Sequence, residues 1–120
     1  MNNPFQVMGG TSIEESDKSQ SLEVRIKALI NSSPIFLFMK GTPQAPQCGF
    51  SANVVRILDS FNVNYNTFNI LSDMDIREGV KAFSNWPTYP QLYIKGQLVG
   101  GSDIITEMYQ SGELKEVLKL

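Results

Sequence analysis

A single cysteine, Cys48, stands in the tetrapeptide Cys48-Gly49-Phe50-Ser51, between the apolar run Ile35-Phe36-Leu37-Phe38-Met39 and a stretch of helical periodicity. A second cysteine three positions on would make a dithiol redox pair, but that position is Ser51. Any disulfide chemistry at Cys48 must therefore draw its partner thiol from another molecule. A lone cysteine usually behaves as a small buried hydrophobe. This one opens a helix, is flanked by Pro46 and Gly49, and follows the strand-ending cation Lys40. A helix N-terminus and a nearby ammonium both favour the thiolate, the species that attacks disulfides and ligates metals. Its setting thus reads as reactive. Ser51 could give its hydroxyl to the sulfur or to a free backbone amide, or be a plain first-turn polar residue.

Other polar positions are less telling by themselves. Arg77 and Lys81 lie four residues apart on one helical face, beside Asp73, Asp75 and Glu78, and read as a solvated cationic face. Thr88-Tyr89-Pro90 precedes a strand, where a trans proline is the ordinary expectation. Ser102-Asp103 reads as an N-cap followed by a dipole-favoured acid, or as a helix start offering its amides to a carboxylate. Lys40-Gly41-Thr42 lacks the spacing of a phosphate-binding loop. The glycines from Gly96 to Gly101 lack that of a dinucleotide fingerprint.

Composition narrows the chemistry further. The 120 residues include no histidine and one cysteine, which excludes a Ser-His-Asp triad, a Cys-His dyad, any histidine-containing zinc site and an internal disulfide. A net charge of −2, from 12 acids and 10 bases, offers no general attraction for nucleic acid. No apolar run approaches the roughly 18 to 20 residues that span a bilayer, and the N-terminus shows neither a signal peptide nor a transit pattern. These features predict a soluble intracellular protein, cytoplasmic by default, or mitochondrial or plastid if a transit peptide has been removed.

The elements that must position Cys48 follow from periodicity. Residues 1–20 are polar and aperiodic and read as a flexible tail or linker, leaving 21–120 as one domain. Leu22, Ile26, Leu29 and Ile30 form a helical face that Asn31-Ser32-Ser33-Pro34 ends. The run Ile35 to Met39 suits a strand covered on both faces, and residues 40–47 read as a loop. Phe50, Val54, Ile57, Leu58 and Phe61 mark the helix after Cys48. A strand at Val63 to Ile70 follows, then a helix capped by Ser72 or Asp73 and carrying Ile76, Val80 and Phe83. Lys95-Gly96 turns a hairpin between Leu92-Tyr93-Ile94 and Gln97-Leu98-Val99, and Ile104, Ile105, Met108 and Tyr109 form a helix ended by Gly112. One right-handed β-α-β crossover followed by a hairpin is an α/β, thioredoxin-like arrangement: a four-stranded mixed sheet with flanking helices.

With those elements in place, five motifs stand in order: Phe38-Met39-Lys40-Gly41-Thr42, Cys48-Gly49-Phe50-Ser51, Asp75-Ile76-Arg77, Asn85-Trp86-Pro87-Thr88-Tyr89-Pro90-Gln91-Leu92 and Gly100-Gly101-Ser102-Asp103. From Leu22 to Leu118 the chain resembles a monothiol glutaredoxin of the C-G-F-S class. The resemblance implies a glutathione site. Lys40 and Arg77, with Lys81 beside them, would face the glycyl carboxylate. Thr88, Tyr89 and Pro90, with a cis peptide before Pro90, would pair with the ligand backbone. Ser102 and Asp103 would hold the γ-glutamyl end. Gly49, Phe50, Ser51, Trp86, Pro87 and Gly101 would support the site. Ser102 departs from the many relatives that carry a second cysteine there.

The resemblance also implies a [2Fe-2S] cluster bridging a homodimer. All-thiolate clusters need four ligands, and two chains supply two thiolates from Cys48 while two glutathiones supply the rest. The expected function is delivery of clusters to apo iron-sulfur acceptor proteins or sensing of iron status. The alternatives are a glutathione-dependent thiol-disulfide oxidoreductase acting through Cys48, and a glutaredoxin module of a larger multidomain protein.

Overall fold

The computed structural model describes residues 11–119 of the chain. Its elements run α1 (Thr11–Ile30), β1 (Ile35–Met39), β2 (Gly41–Thr42), β3 (Ala45–Pro46), α2 (Gly49–Ser60), β4 (Asn66–Asn69), α3 (Met74–Ser84), β5 (Gln91–Ile94), β6 (Gln97–Gly100), α4 (Ser102–Ser111) and α5 (Glu113–Val117). The main sheet has the order β4-β1-β5-β6, with β1 and β4 parallel and the other pairs antiparallel. This is the thioredoxin-like mixed sheet expected from the order of elements.

All five residues of β1 are buried because the strand lies inside the sheet and is covered on both faces. Strand side chains alternate in direction. Ile35, Leu37 and Met39 accordingly join the core beneath α2, α4 and α5, together with Val54, Leu58, Ile105 and Leu114. Phe36 and Phe38 point the other way, into a core with Ile26 and Ile30 of α1, Ile76 and Val80 of α3, and Tyr93. The continuous apolar run therefore serves two cores. Its C-terminal end, at Met39-Lys40, is fixed next to the start of α2.

Four boundaries differ from the expectation. Residues 11–20, read as tail, are helical: α1 begins at Thr11, and a polar segment without an apolar stripe gives periodicity nothing to register. The rest of the expected tail, residues 1–10, lies outside the described residues. The loop at 40–47 contains the short antiparallel pair β2 and β3. β4 is only four residues long, because this edge strand pairs with β1 only from Asn66 opposite Phe36 to Asn69 opposite Met39. Ser102 is the first residue of α4 and not its cap, a position held by Gly101 in extended backbone. Elsewhere the helix ends match: the Asp73 side chain accepts from the Ile76 amide at 3.1 Å, and Asn85 and Gly112 close α3 and α4 in the left-handed region. No helix among the described residues is long and apolar enough to cross a membrane.

Candidate functional site

Cys48 is the N-cap residue of α2, with extended backbone (φ −161°, ψ 138°) and a half-buried thiol. Its side chain makes no full capping bond, yet it feels the free amides of the first turn. Burial pushes the thiol pKa up. The Ser51 and Phe50 amides, then the Lys40 ammonium and the Ser51 hydroxyl, pull it down, and together they hold it below the ordinary thiol value. Thiolate character is thus built from backbone amides, the Lys40 ammonium and a serine hydroxyl, without a histidine.

Ser51 is fully buried, and its Oγ accepts from the Lys40 amide at 3.1 Å. The hydroxyl takes a backbone amide as partner, although that amide belongs to Lys40 and not to the helix. This bond ties the first turn of α2 to the end of β1. The Gln47 amide donates to the Lys40 carbonyl at 2.9 Å, folding the β2-β3 segment back so that Lys40 stands beside Cys48. Gly41 makes that fold possible: it has φ +90°, and a Cβ there would lie 2.5 Å from the Ala45 carbonyl oxygen.

Lys40→Met removes the cation whose charge acts on the sulfur, so the thiol should titrate at higher pH and alkylate more slowly at neutral pH. The pH profile of iodoacetamide alkylation checks this. An unshifted profile would mean that the backbone amides and the Ser51 hydroxyl set the thiolate without Lys40.

The segment before β5 forms the opposite wall. Tyr89-Pro90 is a cis peptide, as the family resemblance implies and the ordinary expectation for X-Pro does not. Gln91, fully buried, donates from Nε2 to the Trp86 carbonyl at 3.1 Å and the Thr88 carbonyl at 3.2 Å, while Tyr93 Oη donates to Gln91 Oε1 at 3.2 Å. Tyr89 Oη donates to the Arg77 carbonyl at 2.6 Å, and burial pushes its phenol pKa well up, so it stays a donor. The wall is therefore fastened to both the sheet and α3. Gly101 brings α4 close to it, since a Cβ there would sit 3.2 Å from the Pro90 carbonyl oxygen.

Between these walls lies a cleft of about 360 Å³. Lys40, Cys48, Phe50, Arg77, Lys81, Trp86, Pro87, Thr88, Tyr89, Pro90, Gly101, Ser102 and Asp103 all line it, and Ile104 joins them. The residues named from the sequence are thus brought together, except two. Ser51 lies beneath the cleft, and Gly49 is exposed with open space around its Cα. Ile104 gives no sign of a site role in the sequence, because an apolar residue at helical spacing reads as core. Gln91 carried no role because a polar strand residue gives no hint of burial. Among the described residues Lys40 and Arg77 make no ion pair, whereas Lys81 pairs with Glu78 at 3.3 Å. The cleft therefore has two uncommitted cations, Lys40 after β1 and Arg77 on α3, and the carboxylate of Asp103 on α4.

Residues 35–99 match the family model described as Glutaredoxin. The chain is 50% identical over 98 residues to the ycf64-like monothiol glutaredoxin of Synechocystis, covering 82% of this chain and 92% of that one. The chain belongs to the monothiol glutaredoxins. This glutaredoxin is also 56% identical over 104 residues to monothiol glutaredoxin-S11 of rice (Oryza sativa), covering 87% of its own length but only 21% of the rice protein. It therefore spans about a fifth of that relative. Among solved structures, the reduced apo form of poplar GrxS14 superposes with a TM-score of 0.73 at 48% identity, over 82% of this glutaredoxin and 90% of the poplar chain.

Proposed function

We propose that this glutaredoxin is a glutathione-dependent carrier that holds a [2Fe-2S] cluster between two copies of the chain and delivers it to apo iron-sulfur acceptor proteins, or reports iron status through it. One observation carries the reading: a lone, activated thiol opens onto a cleft whose charged groups match the ends of glutathione. The glycyl carboxylate would meet Lys40 and Arg77, with Lys81 nearby. Thr88 to Pro90 would pair with the cysteinyl backbone, and Ser102 and Asp103 would hold the γ-glutamyl carboxylate and ammonium. So seated, the glutathione sulfur would lie beside Cys48.

The donor set fits such a cargo. Among the described residues no group of three or more His, Cys, Asp or Glu could hold a metal ion, so one chain cannot enclose a cluster alone. Cys48 contributes one thiolate, bound glutathione a second, and a second copy repeats the pair to reach four. Phe50, 63% exposed on the rim beside Cys48, supplies apolar surface for closure against that copy. Because half the ligands exchange with solution, the cargo is held for transfer. The cytoplasm is the first compartment to examine, ahead of mitochondria and plastids. Since the chain spans a fifth of the rice relative, it also suits a module of a larger protein.

The lowered thiol pKa supports a second reading, reduction of glutathione mixed disulfides. The Cys48 thiolate would attack the glutathione sulfur and expel the client thiolate. A second glutathione thiolate would then attack the Cys48 adduct, releasing oxidised glutathione and regenerating Cys48. Anaerobic reconstitution with iron, sulfide and glutathione, read by visible spectroscopy and size exclusion, separates the two. A coloured dimer that forms only with glutathione, at one cluster per two chains, is expected. A colourless monomer that rapidly reduces a glutathione mixed disulfide would overturn the carrier reading in favour of the oxidoreductase.

A further inference from the structure

Asn53 lies on α2 five residues after Cys48, outside the cleft, and bridges to the start of α4. Its Nδ2 donates to Ser102 Oγ at 3.0 Å and to Thr106 Oγ1 at 2.8 Å, while Arg56 donates to its Oδ1 at 2.6 Å. The guanidinium only donates, so the atom facing it must be the amide oxygen, and both amide hydrogens point at α4. Thr106 Oγ1 in turn donates its hydrogen to the Ser102 carbonyl at 2.8 Å. The amide hydrogens of Asn53 and the hydroxyl hydrogen of Thr106 are thus all committed, and of the two hydroxyls only that of Ser102 is left with a free hydrogen. With Asn53 occupying Ser102 Oγ as donor, the Ser102 hydroxyl hydrogen goes to no group among the described residues, and Ser102 lines the cleft.

We infer that Asn53 is a positioning residue: it fixes the proton polarity of Ser102, so that the serine hydroxyl donates into the cleft toward a carboxylate. The inference rests on the glutathione reading, in which that carboxylate is the γ-glutamyl one. It assigns Asn53 a part in ligand selection and not only in joining α2 to α4. Without Asn53, the Ser102 hydroxyl rotates freely and spends part of its time as an acceptor facing the ligand carboxylate, an arrangement that repels it.

The test titrates the parent chain, Asn53→Ala, Ser102→Ala and the double variant with reduced glutathione and with the dipeptide Cys-Gly, which lacks the γ-glutamyl group, following amide shifts by NMR. Asn53→Ala should weaken glutathione binding about fivefold, the equivalent of one net hydrogen bond, and leave Cys-Gly binding unchanged. In the Ser102→Ala background it should cause no further loss. Equal weakening toward both ligands, an undiminished loss in the Ser102→Ala background, or no loss at all would overturn the inference while leaving the glutathione reading in place. A parent chain that does not bind glutathione, or binds Cys-Gly as tightly, would overturn the glutathione reading and the inference with it.

Discussion

Cys48→Ser should abolish formation of a glutathione adduct and, on the proposed function, assembly of the cluster, while leaving the fold as stable as before. Both chemistries run through the Cys48 thiolate, and a serine hydroxyl is neither ionised nor a soft ligand at neutral pH. A partial loss is not expected, because the chain has no second cysteine and no histidine to substitute. The fold should tolerate the change because Cys48 is the N-cap of α2, a position serine fills well, and its side chain makes no full capping bond to lose. Mass spectrometry after exposure to oxidised glutathione should show one added glutathione on the parent chain and none on the variant. Visible absorbance after anaerobic reconstitution should vanish in parallel, with an unchanged urea midpoint. A variant that still binds iron and sulfide would remove Cys48 from the ligand set and, with it, the four-thiolate arithmetic behind the dimer.

The sequence carried the position of Cys48 more clearly than the architecture around it. An apolar run of five, a glycine-containing loop and a helical period are each local signals, and together they place the thiol at a helix start. The two-faced burial of β1 was legible for the same reason: a five-residue run without polar alternation, bounded by turn residues, suits a strand with cores on both sides. What stayed hidden depends on contacts between residues far apart in the chain. Arg77 and Lys81 look like an ordinary exposed face until α3 is packed beside the Trp86–Pro90 segment. The role of Ser51 depends on the Lys40 amide, eleven residues away, and that of Asn53 on Ser102, forty-nine residues away. The family motif could name the residues of the cleft wall. It could not tell which side chain holds that wall in shape.

That side chain is Gln91, and Gln91→Leu is expected to lower the stability of the fold by about 2 to 3 kcal/mol, from buried polar groups left without partners. Leucine approximates the volume but donates and accepts nothing. It strands the Trp86 and Thr88 carbonyls and the Tyr93 hydroxyl, which Gln91 now satisfies from a fully buried position. Water can reach the Thr88 end, where the residue is exposed, and this keeps the cost below that of three wholly dry orphans. Tyr93→Phe removes only the hydroxyl donor and should cost about 1 kcal/mol, which calibrates the network with the core packing of the ring kept intact. The same change should reach the site. The carbonyls that Gln91 holds belong to the segment expected to pair with the glutathione backbone, so a freed Trp86–Pro90 wall no longer presents a fixed edge. Urea unfolding together with glutathione titration by NMR, run well below the variant's unfolding midpoint, separates the two consequences. Weakened binding by a fully folded Gln91→Leu chain would show that Gln91 shapes the ligand wall. Normal affinity at reduced stability would confine it to the core, leaving Tyr89, bonded to the Arg77 carbonyl, as the fastening that keeps the wall in place.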